Sequence, residues 1–285
     1  MFKKILVPIE LSELDDKVMQ FVSGLSRYGV KEAVLMHVAG LKGVERPVAM
    51  RQEKKYLEEV GKRSSIIEKF GLKVKPLLAP GGTPHEEILH AADEEKVSLI
   101  VTGTRGKGAF NELAVGSISE MVGRRAMVPV VMVPYRVLEE ASDAEAFEMG
   151  EHILDRVLYP TDFSDVAERT LELIKSLNND KIGEIIVAHV IEPKELRPEH
   201  KDAVIRSTKR ILAAIKEELV ASGVNARAEL VIGAVVAETL QMADEMNATC
   251  FIVGSHGRGI GESIFIGSVS QNIIRMSKKP VIITH

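Results

Sequence analysis

Two stretches of the chain carry the residue types and spacing of an anion-binding loop: Gly103, Gly106, Gly116 and Ser117, and again Gly254, Gly257, Gly267 and Ser268. Each copy leaves a short β-branched run and reads Gly-x-x-Gly, nine residues, then Gly-Ser. Glycines allow a backbone to turn its N–H groups toward a ligand, and a helix beginning at the serine adds partial positive charge. Phosphate is the chemistry that suits this pattern. Glycines after a strand are often only turns, and either serine also fits a plain helix cap. The repeated spacing with its closing Gly-Ser favours the anion site.

The two loops lie 151 residues apart, and other landmarks recur at nearly that offset. Pro8 and Pro160, His37-Val38 and His189-Val190, and Gly71 and Gly223 stand 152 apart; Gly82 and Gly233, and Pro129 and Pro280, stand 151 apart. The one-residue change falls between Gly71 and Gly82, as a tandem duplication with a single deletion would leave it. The chain reads as two homologous domains, residues 1–136 and 153–285, of common domain size. Between them residues 137–152 read as an acidic, helix-favouring, solvated connector without chemistry of its own.

Loops of this kind must be held by a sheet. In the first domain, strands are predicted at Ile5 to Ile9, Val34 to Val38, Lys73 to Leu78, Leu99 to Thr102 and Val130 to Val133. Helices are predicted from Ser12 to Tyr28, opened by a capping-box-like Ser12-x-x-Asp15, from about Val48 to Phe70, from Pro84 to Glu95, and from Ser117. The second domain repeats the strands near Ile153 to Leu158, Ile185 to Val190, Ala226 to Val231, Phe251 to Val253 and Val281 to Ile283. Continuous Val, Ile and Leu runs alternating with helices predict an open, doubly wound α/β sandwich with a parallel sheet buried on both faces. Ligands of such sheets sit beyond the carboxyl ends of the strands, where the strand order reverses. The loops leaving strands one and four are therefore the ones to inspect. In the second domain they are Pro160-Thr161-Asp162-Phe163-Ser164 and the glycine loop. Asp162 suits sugar hydroxyls or amines and would repel phosphates, although it also fits a simple turn into the next helix.

Composition narrows the function. Hydrophobic residues at 45% and charged residues at 27% describe ordinary globular domains. A net charge of −4 offers no field for nucleic acid, and 4% aromatics offer few stacking platforms. Neither a membrane span nor a secretory signal pattern is present, so a cytoplasmic protein is expected. Cys250 cannot pair within the chain and reads as a small core residue of a strand. His37 and His189, at strand ends, read as packed and hydrogen-bonded. The sequence lacks Gly-x-x-x-x-Gly-Lys-Ser/Thr, lacks a dinucleotide fingerprint after a strand, and has no His-x-x-x-His pair for a transition metal.

Pro160-Thr161-Asp162-Phe163-Ser164, His189-Val190, Gly254-Ser255-His256-Gly257 and Gly267-Ser268-Val269-Ser270 together resemble the universal stress protein family in its nucleotide-binding branch. The resemblance covers nearly the whole chain, twice. It implies the adenine nucleotide alpha hydrolase-like sheet of strand order 3-2-1-4-5, binding ATP or AMP, with Mg²⁺ a possible companion. It gives Pro160, Thr161 and Asp162 the adenine and ribose, and sets Val190 beside the ring. It gives the phosphates to Gly254, His256, Gly257, Arg258, Gly267, Ser268, Val269 and Ser270, and counts Val253 among the nucleotide-binding residues. It further implies dimerisation through the last strands, here a pseudo-dimer around Val130 and Val281 or a homodimer.

The same resemblance assigns Pro8, Ile9, Glu10, Val38, Gly103, Arg105, Gly106, Lys107, Gly116, Ser117, Ile118 and Ser119 to a first site. Here Pro8-Ile9-Glu10 replaces Pro-Thr-Asp, and Arg105 and Lys107 stand where the second domain has His256 and Arg258. The phosphate end is kept and more cationic, while the base and sugar end is altered. The second domain is therefore expected to be the better adenosine site. Two function classes follow: a nucleotide-responsive binding protein without efficient turnover, and a slow Mg²⁺-dependent ATP hydrolase or phosphotransferase using His256 or Asp162 as base. The absence of a carboxylate pair beside the glycine loop favours the first.

Overall fold

The computed structural model describes residues 2–40, 43, 45–104, 115–177, 181–255 and 267–285. The chain divides into two compact units, Met1–His152 and Ile153–His285. In the first, strands β1 (Lys4–Pro8), β2 (Glu32–Val38), β3 (Lys73–Ala79), β4 (Leu99–Gly103) and β5 (Val130–Val133) alternate with helices α1 (Leu14–Gly24), α2 (Arg46–Glu68), α3 (Pro84–Glu94) and α4 (Ser117–Arg125). Helices α5 (Tyr135–Glu140) and α6 (Asp143–Glu151) complete it. The second unit repeats the series as β6 (Arg156–Pro160), α7 (Asp165–Ser176), β7 (Glu184–Ile191), α8 (Lys201–Ala221), β8 (Ala226–Ile232), α9 (Val235–Glu245), β9 (Cys250–Gly254), α10 (Ser268–Met276) and β10 (Val281–Thr284).

Each unit is built on a parallel sheet, in the order β3-β2-β1-β4-β5 in the first and β8-β7-β6-β9-β10 in the second, the doubly wound order expected from the sequence. Leu6 of β1 pairs with Val34 of β2 and Ile100 of β4; Leu158 of β6 pairs with Ile186 of β7 and Phe251 of β9. These central runs are buried on both faces because helices cover both sides of the sheet. The order reverses between β1 and β4, and between β6 and β9. Right-handed crossovers then carry the connections from these two strands to opposite faces, leaving a crevice at their carboxyl ends.

Three local expectations change. The apolar run from Ile153 predicts an earlier strand, yet β6 starts at Arg156. Ile153 and Leu154 are buried in a turn whose carbonyls accept from Thr249 Oγ1 (2.9 Å) and the Gly183 amide (3.0 Å). Helix α1 opens at Leu14 without a side-chain cap; the Asp15 carboxylate accepts from the Ser12 amide at 2.7 Å in place of the serine-capped opening.

The third change concerns residues 137–152, which fold into the first unit rather than forming a solvated connector. Ser142 and Glu145 make a reciprocal capping box at the start of α6. A Cβ on Gly150 would stand 1.9 Å from the Phe21 carbonyl oxygen, and one on Gly24 would stand 2.3 Å from the Glu151 nitrogen, so α6 lies directly on the backbone of α1. Phe147 stacks on Phe70 at 4.7 Å, and Tyr28 Oη donates to the Glu151 carbonyl at 2.7 Å. The acidic residues occupy one face, while the stripe of Ala146, Phe147 and Gly150 supplies the packing that net charge alone conceals. Among the described residues no helix is long and apolar enough to cross a membrane.

Candidate functional site

In the second unit the chain leaves β6 through a turn whose geometry depends on one hydroxyl. Phe163 holds φ of 61°, a left-handed conformation unusual for an aromatic residue. Its amide donates to Thr161 Oγ1 at 3.1 Å, and its ring stacks on His189 at 4.5 Å. His189 donates from Nδ1 to the Thr161 carbonyl at 2.7 Å; the carbonyl can only accept, which places the proton on Nδ1. Asp162 Oδ1 accepts from the Ser164 amide at 3.1 Å, and Ser164 then caps α7 through the Ala167 amide. Tyr159, buried in β6, donates from Oη to the Ala167 carbonyl at 2.6 Å, and burial pushes its hydroxyl up to about 12. The Thr161 hydroxyl thus supports the turn from within, while the Asp162 carboxylate lies at the cavity wall.

The opposite wall comes from β9 and α10. The Gly267 amide donates to the Ser255 carbonyl at 2.8 Å, and the Ser255 amide donates to Thr284 at 2.8 Å, which fastens the start of α10 to the end of β9. Ser270 Oγ donates to the Gly254 carbonyl at 2.8 Å across the same junction. Gly267 is the N-cap, so Ser268 is the first helical residue rather than the cap. The first amide paired within α10 is that of Gln271, to the Gly267 carbonyl at 2.9 Å. The amides of Ser268, Val269 and Ser270 precede that ladder and form the donor end of the helix.

These elements enclose a cavity of about 280 Å³. Its lining includes Pro160, Thr161 and Asp162 from the β6 turn, Val190 from β7, Val253 and Gly254 from β9, and Gly267 through Ser270. Ten of the thirteen residues singled out in this domain therefore meet at one place. His256, Gly257 and Arg258 lie outside the described residues. Sequence reasoning missed Glu195, in the short helical turn Pro193–Glu195 after β7, and Val235 and Thr239 of α9. Glu195 follows closely on β7, and Val235 and Thr239 lie in the helix that crosses from β8 to β9; the path of these connections brings them in.

The first unit builds the equivalent place with different side chains. A cavity of about 460 Å³ is lined by Pro8, Ile9 and Glu10, by Val38, and by Gly103 and Gly116 through Ser119. Arg105, Gly106 and Lys107 lie outside the described residues. The junction of β4 and α4 copies the second unit: Ser119 Oγ donates to the Gly103 carbonyl at 2.7 Å, and the Gly116 amide donates to the Thr104 carbonyl at 2.7 Å. Gly116, like Gly267, is the N-cap, so Ser117 opens the helix as its first residue. His37 donates from Nδ1 to the Ile9 carbonyl at 2.9 Å, as His189 does to Thr161.

The turn leaving β1 differs from that leaving β6 more than the sequence comparison of the strand ends suggests. Leu11 repeats the left-handed turn with φ of 58°, but Ile9 has no hydroxyl to offer its amide. The turn is held instead by Asp15, whose carboxylate accepts from the amides of Ser12 (2.7 Å) and Glu10 (3.3 Å) and lies 3.8 Å from Arg63 Nε. Arg63, buried in α2, also donates to the Ser12 carbonyl at 2.7 Å and to Glu59 at 2.7 Å. Burial pushes the Asp15 carboxyl above its usual range, with the two amides and Arg63 pulling the other way. Asp15 lines the cavity, and its counterpart at the 152-residue offset is Ala167. Extending the repeat comparison from the strand ends into the first helical turn is the signal that finds it. Among the described residues no group of three or more His, Cys, Asp or Glu side chains could hold a metal ion.

Comparison with known proteins follows this architecture. The family model described as the universal stress protein family matches residues 1–134 and 154–285. Universal stress protein MJ0577 of Methanocaldococcus jannaschii is 30% identical over 150 residues, 45% of this chain and 93% of that protein. Universal stress protein YxiE of Bacillus subtilis is 30% identical over 151 residues, 47% of this chain and 99% of that protein. The crystal structure of a universal stress protein from Archaeoglobus fulgidus superposes with a TM-score of 0.72 at 27% identity, over 98% of this chain and 95% of that one.

Proposed function

The chain belongs to the universal stress protein family, matched in both of its halves, and from that premise we propose that its second unit binds an adenine nucleotide and that the protein acts as a nucleotide-responsive stress protein without efficient turnover. The observation that carries this reading is the convergence of the β6 turn, the end of β7 and the first turn of α10 on one cavity. Asp162 stands at the end suited to ribose hydroxyls, and the amides of Ser268, Val269 and Ser270 at the end suited to phosphate. In the first unit Ile9, Glu10 and Asp15 change the sugar and base end, which supports the second unit as the better adenosine site.

Calorimetric titration of the full chain with AMP and ATP tests the assignment. Asp162→Ala should weaken the tighter site about tenfold or more, the loss of a hydrogen bond to a charged group, whereas Glu10→Ala should leave that site unchanged. The reverse pattern would assign the better site to the first unit. Incubation with ATP and Mg²⁺ tests turnover: phosphate release that disappears in His256→Ala would overturn the binding-only reading.

A further inference from the structure

Asp15 is a buried carboxylate in a binding cavity, placed where the companion cavity has a methyl group. It is 6% exposed, and Ala167 is 7% exposed at the matching position of the repeat. The substitution does not fill the first cavity, which at about 460 Å³ is larger than the second at about 280 Å³. Nor is it isolated. Val7 stands where the second unit has Tyr159, and Ile9 where it has Thr161, so two hydroxyls of β6 and the turn after it are absent from β1 and its turn, and one carboxylate is added on α1.

An ionised carboxylate has about four acceptor positions and no donor. The amides of Ser12 and Glu10 take one position on each oxygen, at 2.7 Å on Oδ2 and 3.3 Å on Oδ1. The guanidinium of Arg63, 4% exposed, supplies the countercharge that a buried carboxylate requires. The two amides leave one acceptor position on each oxygen, and Asp15 lies in the wall of the cavity. Two adjacent N–H donors match that pair. The Watson–Crick edge of guanine presents N1–H beside the 2-amino group; adenine presents one amino group beside N1, whose lone pair would face the carboxylate.

We infer that Asp15 is the base-selecting residue of the first cavity and turns it from adenine toward a guanine-type edge, so that the two units take different purine nucleotides. The inference rests on the reading of these cavities as nucleotide sites. It extends to specificity the asymmetry already visible at Ile9 and Glu10.

GMP and AMP are the probes, titrated separately into the full chain, with a urea midpoint recorded for every variant. Wild type should take one equivalent of AMP in the second unit and one of GMP in the first. Asp15→Ala, which copies Ala167, should lower the GMP:AMP preference of the first cavity about ten- to a hundredfold. Asp15→Asn keeps the shape and one acceptor for the Ser12 amide, and Arg63 retains Asp16, Glu59 and the Ser12 carbonyl. It should fold where the alanine variant does not, and should shift preference the same way because its amide nitrogen donates toward adenine N1. An unchanged GMP:AMP ratio in folded Asp15→Asn, or two equivalent AMP sites in wild type, overturns the inference while leaving the nucleotide reading intact. Absence of binding by either nucleotide in wild type overturns both.

Discussion

Replacing Ser268 by proline and, separately, by alanine distinguishes the backbone amide at the start of α10 from the serine hydroxyl. Ser268 is the first residue of α10, and the helical ladder begins only with the Gln271 amide. Proline at 268 therefore removes one N–H from the donor end of the helix without removing a helical bond. Proline also demands an extended residue before it, and Gly267 already holds φ of −55° and ψ of 144°. Stability should move by less than about 1 kcal/mol, as for a tolerated exposed substitution. An amide donating to a phosphate oxygen makes a charge-assisted hydrogen bond that contributes about 1.5–3 kcal/mol, about ten- to more than a hundredfold in Kd. Ser268→Ala removes the hydroxyl and keeps the amide, so it should bind more tightly than Ser268→Pro by the share that the amide contributes. The assay is calorimetric titration of the full chain with AMP, with urea unfolding in parallel. A Ser268→Pro protein that keeps its urea midpoint and binds AMP within about twofold of wild type would refute the assignment of these amides to phosphate. Equal losses in the two variants would move the contact to the hydroxyl.

The contact of α6 with α1 predicts that Gly150→Ala costs the first unit about 3 kcal/mol in urea unfolding, because the new methyl meets the Phe21 carbonyl, while Gly61→Ala, with open space around it in α2, adds about 0.5 kcal/mol. Lys62 and Arg63 pull the Glu59 carboxyl down to about 2, so folding favours its ionised form. That contribution is present above the ordinary value of 4.5 and is lost as pH falls toward 2; Glu59→Gln should flatten the fall in urea midpoint across this acid limb. Cys250 is fully buried and burial pushes its thiol up, so a thiol reagent should label it only at the rate of unfolding, and rapid labelling of the native protein would contradict its place in β9.

The fold was legible because parallel strands buried on both faces need continuous Val, Ile and Leu, and because duplication wrote each landmark twice. The residues at the ends of β6 and β9 were legible for a related reason: the carboxyl ends of neighbouring strands converge whatever the intervening helices contain. Glu195 and Thr239 were not, since only the path of the crossover decides which side chains of a loop or helix reach the cavity. Residues 137–152 misled in another way. Their net charge describes the solvent face, and the contact of Gly150 and Gly24 depends on the absence of side chains, which composition does not register.

Leu11 and Phe163 show what the duplication preserved. Both occupy the same step of the repeat in the same left-handed conformation, at φ of 58° and 61°. A strained residue persists only where its surroundings determine it, yet the two surroundings differ. In the second unit Thr161 and Asp162 hold the turn from within the strand end; in the first, Asp15 and Arg63 hold it from the helices. The path of the backbone has been kept while the polar groups that keep it have moved. At the other end Ser119 and Ser270 make the same hydrogen bond to Gly103 and Gly254 in both units. Among the described residues the polar groups have thus diverged at the end of each cavity that the strand-one turn builds, while the serine-to-glycine hydrogen bond at the other end is the same in both units. Loss of function by drift has no reason to spare one end, and it rarely supplies a buried carboxylate together with its arginine. A change of base preference accounts for both.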